Sequence, residues 1–178
     1  MPSFIIALLL APLLAQNQAA KTPQASGCGP DAVQFTVKTN MEQHTYAPAA
    51  PANAVVYVFE EEVRESGVYL GGGVTIRVGV DGQWVGALKG TSYLFFIVAP
   101  GEHQVCANRH TALGHSARLT SSASFTAEAG KIYYFRAQVD ERNEPQYPNA
   151  VTLTRIEHDS EGQYLISASG YSVSHAKK

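Results

Sequence analysis

Three histidines fall close together, His103, His110 and His115, the last two within NRHTALGHSARL. Imidazole is a common zinc and transition-metal ligand, and ligands need only converge in space. A turn gathering these rings would therefore make a metal-dependent hydrolase. Against this, His110 and His115 lie five residues apart across a glycine, with no carboxylate beside them. Surface histidines in a loop are the simpler expectation. The serines of TSSASF and SASGYSVS lack the G-x-S-x-G elbow of a serine hydrolase. Carboxylates cluster at Glu60, Glu61 and Glu62, where a solvated strand end is expected, and at Asp140, Glu141 and Glu144 in a loop. No spacing singles out a glycosidase pair among them. The glycines of LGGGVTIRV lead into a β-branched run rather than a helix, and no Gly-Lys-Ser/Thr follows, which argues against a phosphate loop. No catalytic residue, metal ligand or cofactor is assigned.

The two cysteines, Cys28 and Cys106, carry a different chemistry. In an oxidising compartment an even pair reads as one disulfide, and there is no C-x-x-C for zinc or thiol redox work. The alternative is a lipidated Cys28 in ASGC with Cys106 left free. The compartment is suggested by MPSFIIALLLAPLLAQNQAA, whose apolar run Phe4 to Ala15 has the length of a signal-peptide core and falls short of a membrane span. Residues 1–20 are read as the signal, which makes the mature chain exported, periplasmic or extracellular, with no transmembrane segment after cleavage. Those residues hold no charged side chain, so the formal net charge of −2 belongs to the remainder. With no basic run beyond Lys177-Lys178, nucleic acid is not an expected partner.

The elements that must position these residues read as strands. AVQFTVKT alternates apolar and polar, with Val33, Phe35 and Val37 on one face. The region 21–52 is then an N-terminal segment with that one strand and a linker broken by Pro48 and Pro51. AVVYVFEEE, VTIRVGV, Gln83 to Ala87, SYLFFIVA, EHQVCAN, SASFTAEA and KIYYFRAQV follow at roughly ten-residue intervals, punctuated by glycine turns. This spacing indicates an all-β domain over 53–170, an antiparallel sandwich or barrel. Asp81-Gly82 is the strongest hairpin signal, because a type I′ turn needs positive φ at both central residues, and Gly86 allows a bulge beyond it. Asp159 or Ser160 could cap one short C-terminal helix over EGQYLISAS. Residues 171–178 are expected to form a flexible tail.

Aromatics crowd the central strands. Phe95 with Phe96, and Tyr133 with Tyr134 and Phe135, must point to opposite faces of a sheet. Some large rings therefore lie on the second face. They are either covered by the N-terminal segment and the helix or exposed as a patch that binds a partner or glycan. Trp84, Tyr93, Tyr133, His110 and His115 are the candidates for such a surface.

VVYVF, RVGVDGQWVGALKGTSYLFFIVAPGEHQVCAN and FTAEAGKIYYFRAQV together resemble the bacterial DUF2846 family over about residues 53–139. The VDG and PGEH elements are also similar, more distantly, to PEGA-type surface modules. The resemblance implies an immunoglobulin- or transthyretin-like β-sandwich in an exported or envelope protein, and it brings no activity. The expectation is a non-enzymatic interaction module whose specificity lies in the loops around Glu60 to Gly73 and Asn108 to Arg118. Its partner would be a protein or a glycan. A carbohydrate-binding accessory domain using Trp84 and a hydrolase using the loop histidines are the alternatives.

Overall fold

The computed structural model describes residues 28–61, 74–110, 120–140 and 150–177, with backbone alone at His110, Asp140 and Ala150. The first strands are β1 Phe35–Asn40, β2 Ala54–Glu61, β3 Thr75–Val80, β4 Gln83–Lys89, β5 Ser92–Val98 and β6 Gly101–His110, with β-branched and aromatic residues densest in β2 and β5. After them come β7 Thr120–Ala127, β8 Ile132–Asp140, β9 Ala150–Ile156, the helix α1 Asp159–Ala168 and β10 Gly170–Ala176. A six-stranded sheet runs β1-β10-β5-β2-β8-β9 and a four-stranded sheet runs β4-β3-β6-β7. Together they make an all-β sandwich.

Strand periodicity divides the apolar residues between two layers. Val56, Val58, Tyr133 and Phe135 meet Ile76, Val78, Leu88 and Phe125 between the sheets. Their neighbours Val55, Tyr57, Phe59 and Tyr134 face outward from the six-stranded sheet into a second cluster with Leu165 and Ile166 of α1. A fully buried side chain of this size contributes about 2 kcal/mol, so both faces of this sheet carry stabilising burial. Helix α1 lies so close that a Cβ on Gly162 would stand 2.5 Å from the Tyr134 ring.

The Asp81-Gly82 corner has the expected geometry, with φ of 50° and 79°. Beyond it the β3–β4 register shifts, Val78 opposing Gly86 and Gly79 opposing Trp84, which leaves Val85 as the extra residue of a bulge.

Several expectations are corrected. Pairing is not wholly antiparallel, because β2 pairs with β8 and β10 with β5 in parallel. Parallel neighbours need a crossover connection, and between β2 and β8 the chain travels through the entire four-stranded sheet. The tail is not loose. Its residues 170–176 form β10, inserted between β1 and β5. A strand absent from the expected series is β9, AVTLTRI, with Val151 and Leu153 buried and Thr152 and Thr154 exposed. The helix starts at Asp159, two residues before the expected Glu161, with His158 as N-cap and no side-chain cap bond. Glu60 is not solvated but 2% exposed, because it continues the inward-facing series of Val56 and Val58.

Where the sheets meet at their edges, hydroxyl groups take the place of a ladder. Ser174 accepts from the Ala87 N–H at 2.9 Å and Ser172 donates to the Ala87 carbonyl at 3.1 Å. Thr39 donates to the Lys89 carbonyl at 2.9 Å. At the opposite seam, Ser121 accepts from the Leu153 N–H at 3.0 Å. Backbone groups of β4 and β9 that would otherwise be open for pairing are thereby satisfied.

Candidate functional site

The outer face of the four-stranded sheet is where chemistry-bearing side chains gather. Arg77 faces outward from β3 yet is 1% exposed, because the segment from Cys28 to Val33 lies across it. Its Nη1 donates to the carbonyls of Asp31 at 3.0 Å and Val33 at 2.8 Å. Its Nε and Nη2 both donate to Asn108 Oδ1, the former at 3.0 Å. Four of the five guanidinium N–H groups are thus engaged. Burial pulls the Arg77 pKa down and the field of Asp31 opposes that.

Trp84 stacks on this guanidinium, 4.4 Å from ring centroid to Cζ. Its Nε1 donates to the Pro30 carbonyl at 2.8 Å. The segment fits because it carries no side chain at its tightest point: a Cβ on Gly29 would stand 2.7 Å from Trp84 Nε1. Cys28 closes the arrangement by its disulfide to Cys106 of β6, with Cα atoms 5.3 Å apart. The bridge is the one expected, and it removes the thiol that a lipid on Cys28 would need.

At the corner of the same sheet His103 meets Asp81. Nδ1 is 2.6 Å from Asp81 Oδ2 and Nε2 is 2.7 Å from the Ala99 carbonyl. Both partners are acceptors, so both ring nitrogens donate only in the imidazolium form. Burial works against that charge. The Asp81 bond, the Ala99 carbonyl and the fields of Asp81 and Glu102 outweigh it, and the His103 pKa is raised. A raised folded pKa contributes stability that is fully present below the ordinary value of about 6.5 and lost as pH rises through the folded value. The unfolding free energy from urea titrations should therefore be lower above that window than below it in the wild type. His103→Gln should flatten the profile; an unchanged slope in the variant would remove His103 as its source.

The sequence candidates do not come together. Tyr93 is fully buried and Tyr133 is 6% exposed, so neither offers an open surface beside Trp84. Tyr133 belongs to the layer between the sheets, its oxygen accepting from the Glu128 N–H at 3.0 Å. Tyr93 lies in the outer cluster under residues 45–50, and burial pushes its pKa up to about 12 against the backbone bond to Thr45. Trp84 is half-buried on the other sheet, away from the tyrosines. The His110 side chain, all of His115, residues 62–73 and 111–119, and residues 1–20, the expected signal, lie outside the described residues. Among the described residues no three His, Cys, Asp or Glu side chains group as metal ligands, and no helix is long and apolar enough to cross a membrane. The Arg77 and His103 clusters carried no local signal, because Arg77 to Asn108 and Asp81 to His103 are long-range pairs.

A family model described as a protein of unknown function, DUF2846, matches residues 51–150, more than half of the chain. The chain belongs to the DUF2846 family. The DUF2846 match takes in β2 through β8 and stops short of β1, α1 and β10, so the disulfide joins a residue before the matched region to one inside it. An NMR structure of a protein from Eubacterium rectale is similar at 16% identity and a TM-score of 0.36, covering 61% of this chain and 92% of that one. No curated protein matches.

Proposed function

We propose that this DUF2846 protein is an exported, non-enzymatic interaction module of the envelope or extracellular space. Its partner specificity is assigned to the loops around residues 60–73 and 108–118. The observation that carries the reading is the Cys28–Cys106 bridge, since disulfides persist in oxidising compartments and are rare in the cytosol. The non-catalytic part is supported by His103, whose two ring nitrogens are both spent on structural acceptors, leaving neither for proton transfer to a substrate. A protein partner is favoured over a glycan, because the Trp84 ring that would stack on a sugar is already stacked on Arg77.

The loops leave strand ends that meet at one end of the sandwich. Thr75 pairs with His110 and Asn108 with Thr120, and Ser121 reaches Leu153 from across the seam. A rigid frame that presents adjacent loops is the usual way a sandwich binds. Mass spectrometry of the protein recovered from a secreting host, with and without reductant, tests export and bridge together. A mass that begins after the apolar run and rises by two hydrogens on reduction is expected. An intact leader, or a lipid on Cys28, would overturn the reading.

A further inference from the structure

Between β1 and β2 the chain forms neither helix nor strand over residues 43–50. Pro48 and Pro51 fix their own φ near −65° and push Ala47 and Ala50, the residues before them, out of the helical region. The conformation this favours is polyproline II, with three residues per turn and no internal hydrogen bonds. The contacts keep that period. Ala47 and Ala50 turn onto the outer aromatic cluster, while Pro48, Ala49 and Pro51 stay exposed.

Tyrosine hydroxyls hold the backbone of this strap. Tyr57 accepts from the Ala47 N–H at 2.8 Å, and Tyr93 donates to the Thr45 carbonyl at 2.9 Å. Under the strap the Tyr57, Tyr93, Phe95 and Tyr171 rings lie 5.5 to 6.1 Å apart from one to the next. Aromatic rows that bond a peptide carbonyl are how polyproline II segments are recognised.

We propose that this face is a groove for extended proline-rich peptides, occupied in cis by the chain's own residues 44–50. The seated strap shows the chemistry that fits: an extended Pro/Ala-rich segment with a small residue at every third position. The strap also leaves part of the groove uncovered. It turns away where the Asn53 N–H donates to the Ala50 carbonyl, so Ile97 and Ile132, the register neighbours of Val55, are 44% and 47% exposed. A partner's segment running straight on would bury both, which the strap cannot do. That extra burial is what lets it compete with a strap whose tether gives it an effective concentration on the order of millimolar. The inference goes beyond the proposed module and does not depend on its loops.

The test titrates a peptide of residues 43–51 extended by Ala-Ala-Pro into the full, disulfide-bonded chain, followed by amide NMR shifts. Loosening the strap with Pro48→Gly and Pro51→Gly should tighten peptide binding about ten-fold over wild type. The shifts should map to β2, β5 and β8. Ile132→Asp in that background should abolish the gain. A second background, Ala47→Asp with Ala50→Asp, keeps the test decisive if the glycine pair does not fold. Absence of binding in a folded strap variant, or equal binding of a scrambled proline-free peptide, would overturn the proposal.

Discussion

Removing the Cys28–Cys106 bridge, by reduction or by Cys28→Ser with Cys106→Ser, should lower stability by about 4 kcal/mol. The chain-entropy cost of opening a loop of this size sets that figure, the two cysteines being 78 residues apart. The bridge also anchors the end of the segment lying on Arg77 and Trp84. Urea unfolding followed by tryptophan fluorescence suits the measurement, because Trp84 is the single tryptophan and lies under that segment. The reduced protein should show a lower midpoint and, below it, a Trp84 emission already shifted toward that of a solvated indole. A reduced protein with unchanged midpoint and emission would show that the segment holds its place without the bridge.

Arg77→Ala is the second large effect, at about 3 kcal/mol. The substitution strips donors from the Asp31 and Val33 carbonyls and from Asn108 Oδ1, and it removes the surface on which Trp84 stacks. Arg77→Lys should recover little of this. An ammonium has three donors about one point and cannot span two carbonyls and an amide as a planar fork does. Because Arg77 and the bridge secure the same segment, their losses should fall short of additive by about 1 kcal/mol in a double-mutant cycle. Strict additivity would mean that the two act on separate parts of the structure.

Local chemistry made much of the sandwich legible. Asp81-Gly82 announces its corner because the type I′ turn has few sequence solutions, and the rings at 133–135 alternate because a strand leaves no choice. The covering of the second face by the N-terminal segment and the helix was likewise open to view as one of two outcomes. Partnerships across sequence distance were not. Trp84 could be placed on its strand but not on its sheet face, since Gly29 and Pro30 approach it from more than fifty residues away. β10 was hidden for a related reason. YSVSHA carries a weak apolar stripe, and it forms a strand because β1 and β5 offer edges on both sides. Glu60 looked solvated because carboxylates usually are, whereas its register puts it between the sheets.

The position of β10 has a consequence for how the molecule is made. The first strand, β1, pairs with the last, β10, and reaches β5 only through it. A nascent chain that has not yet delivered residues 170–176 therefore lacks the ladder partner of β1. Such end-to-end pairing carries a high loop-closure cost and folds slowly. For a chain exported as proposed, a sheet left incomplete until its last strand arrives would delay closure of the fold until the whole chain has crossed.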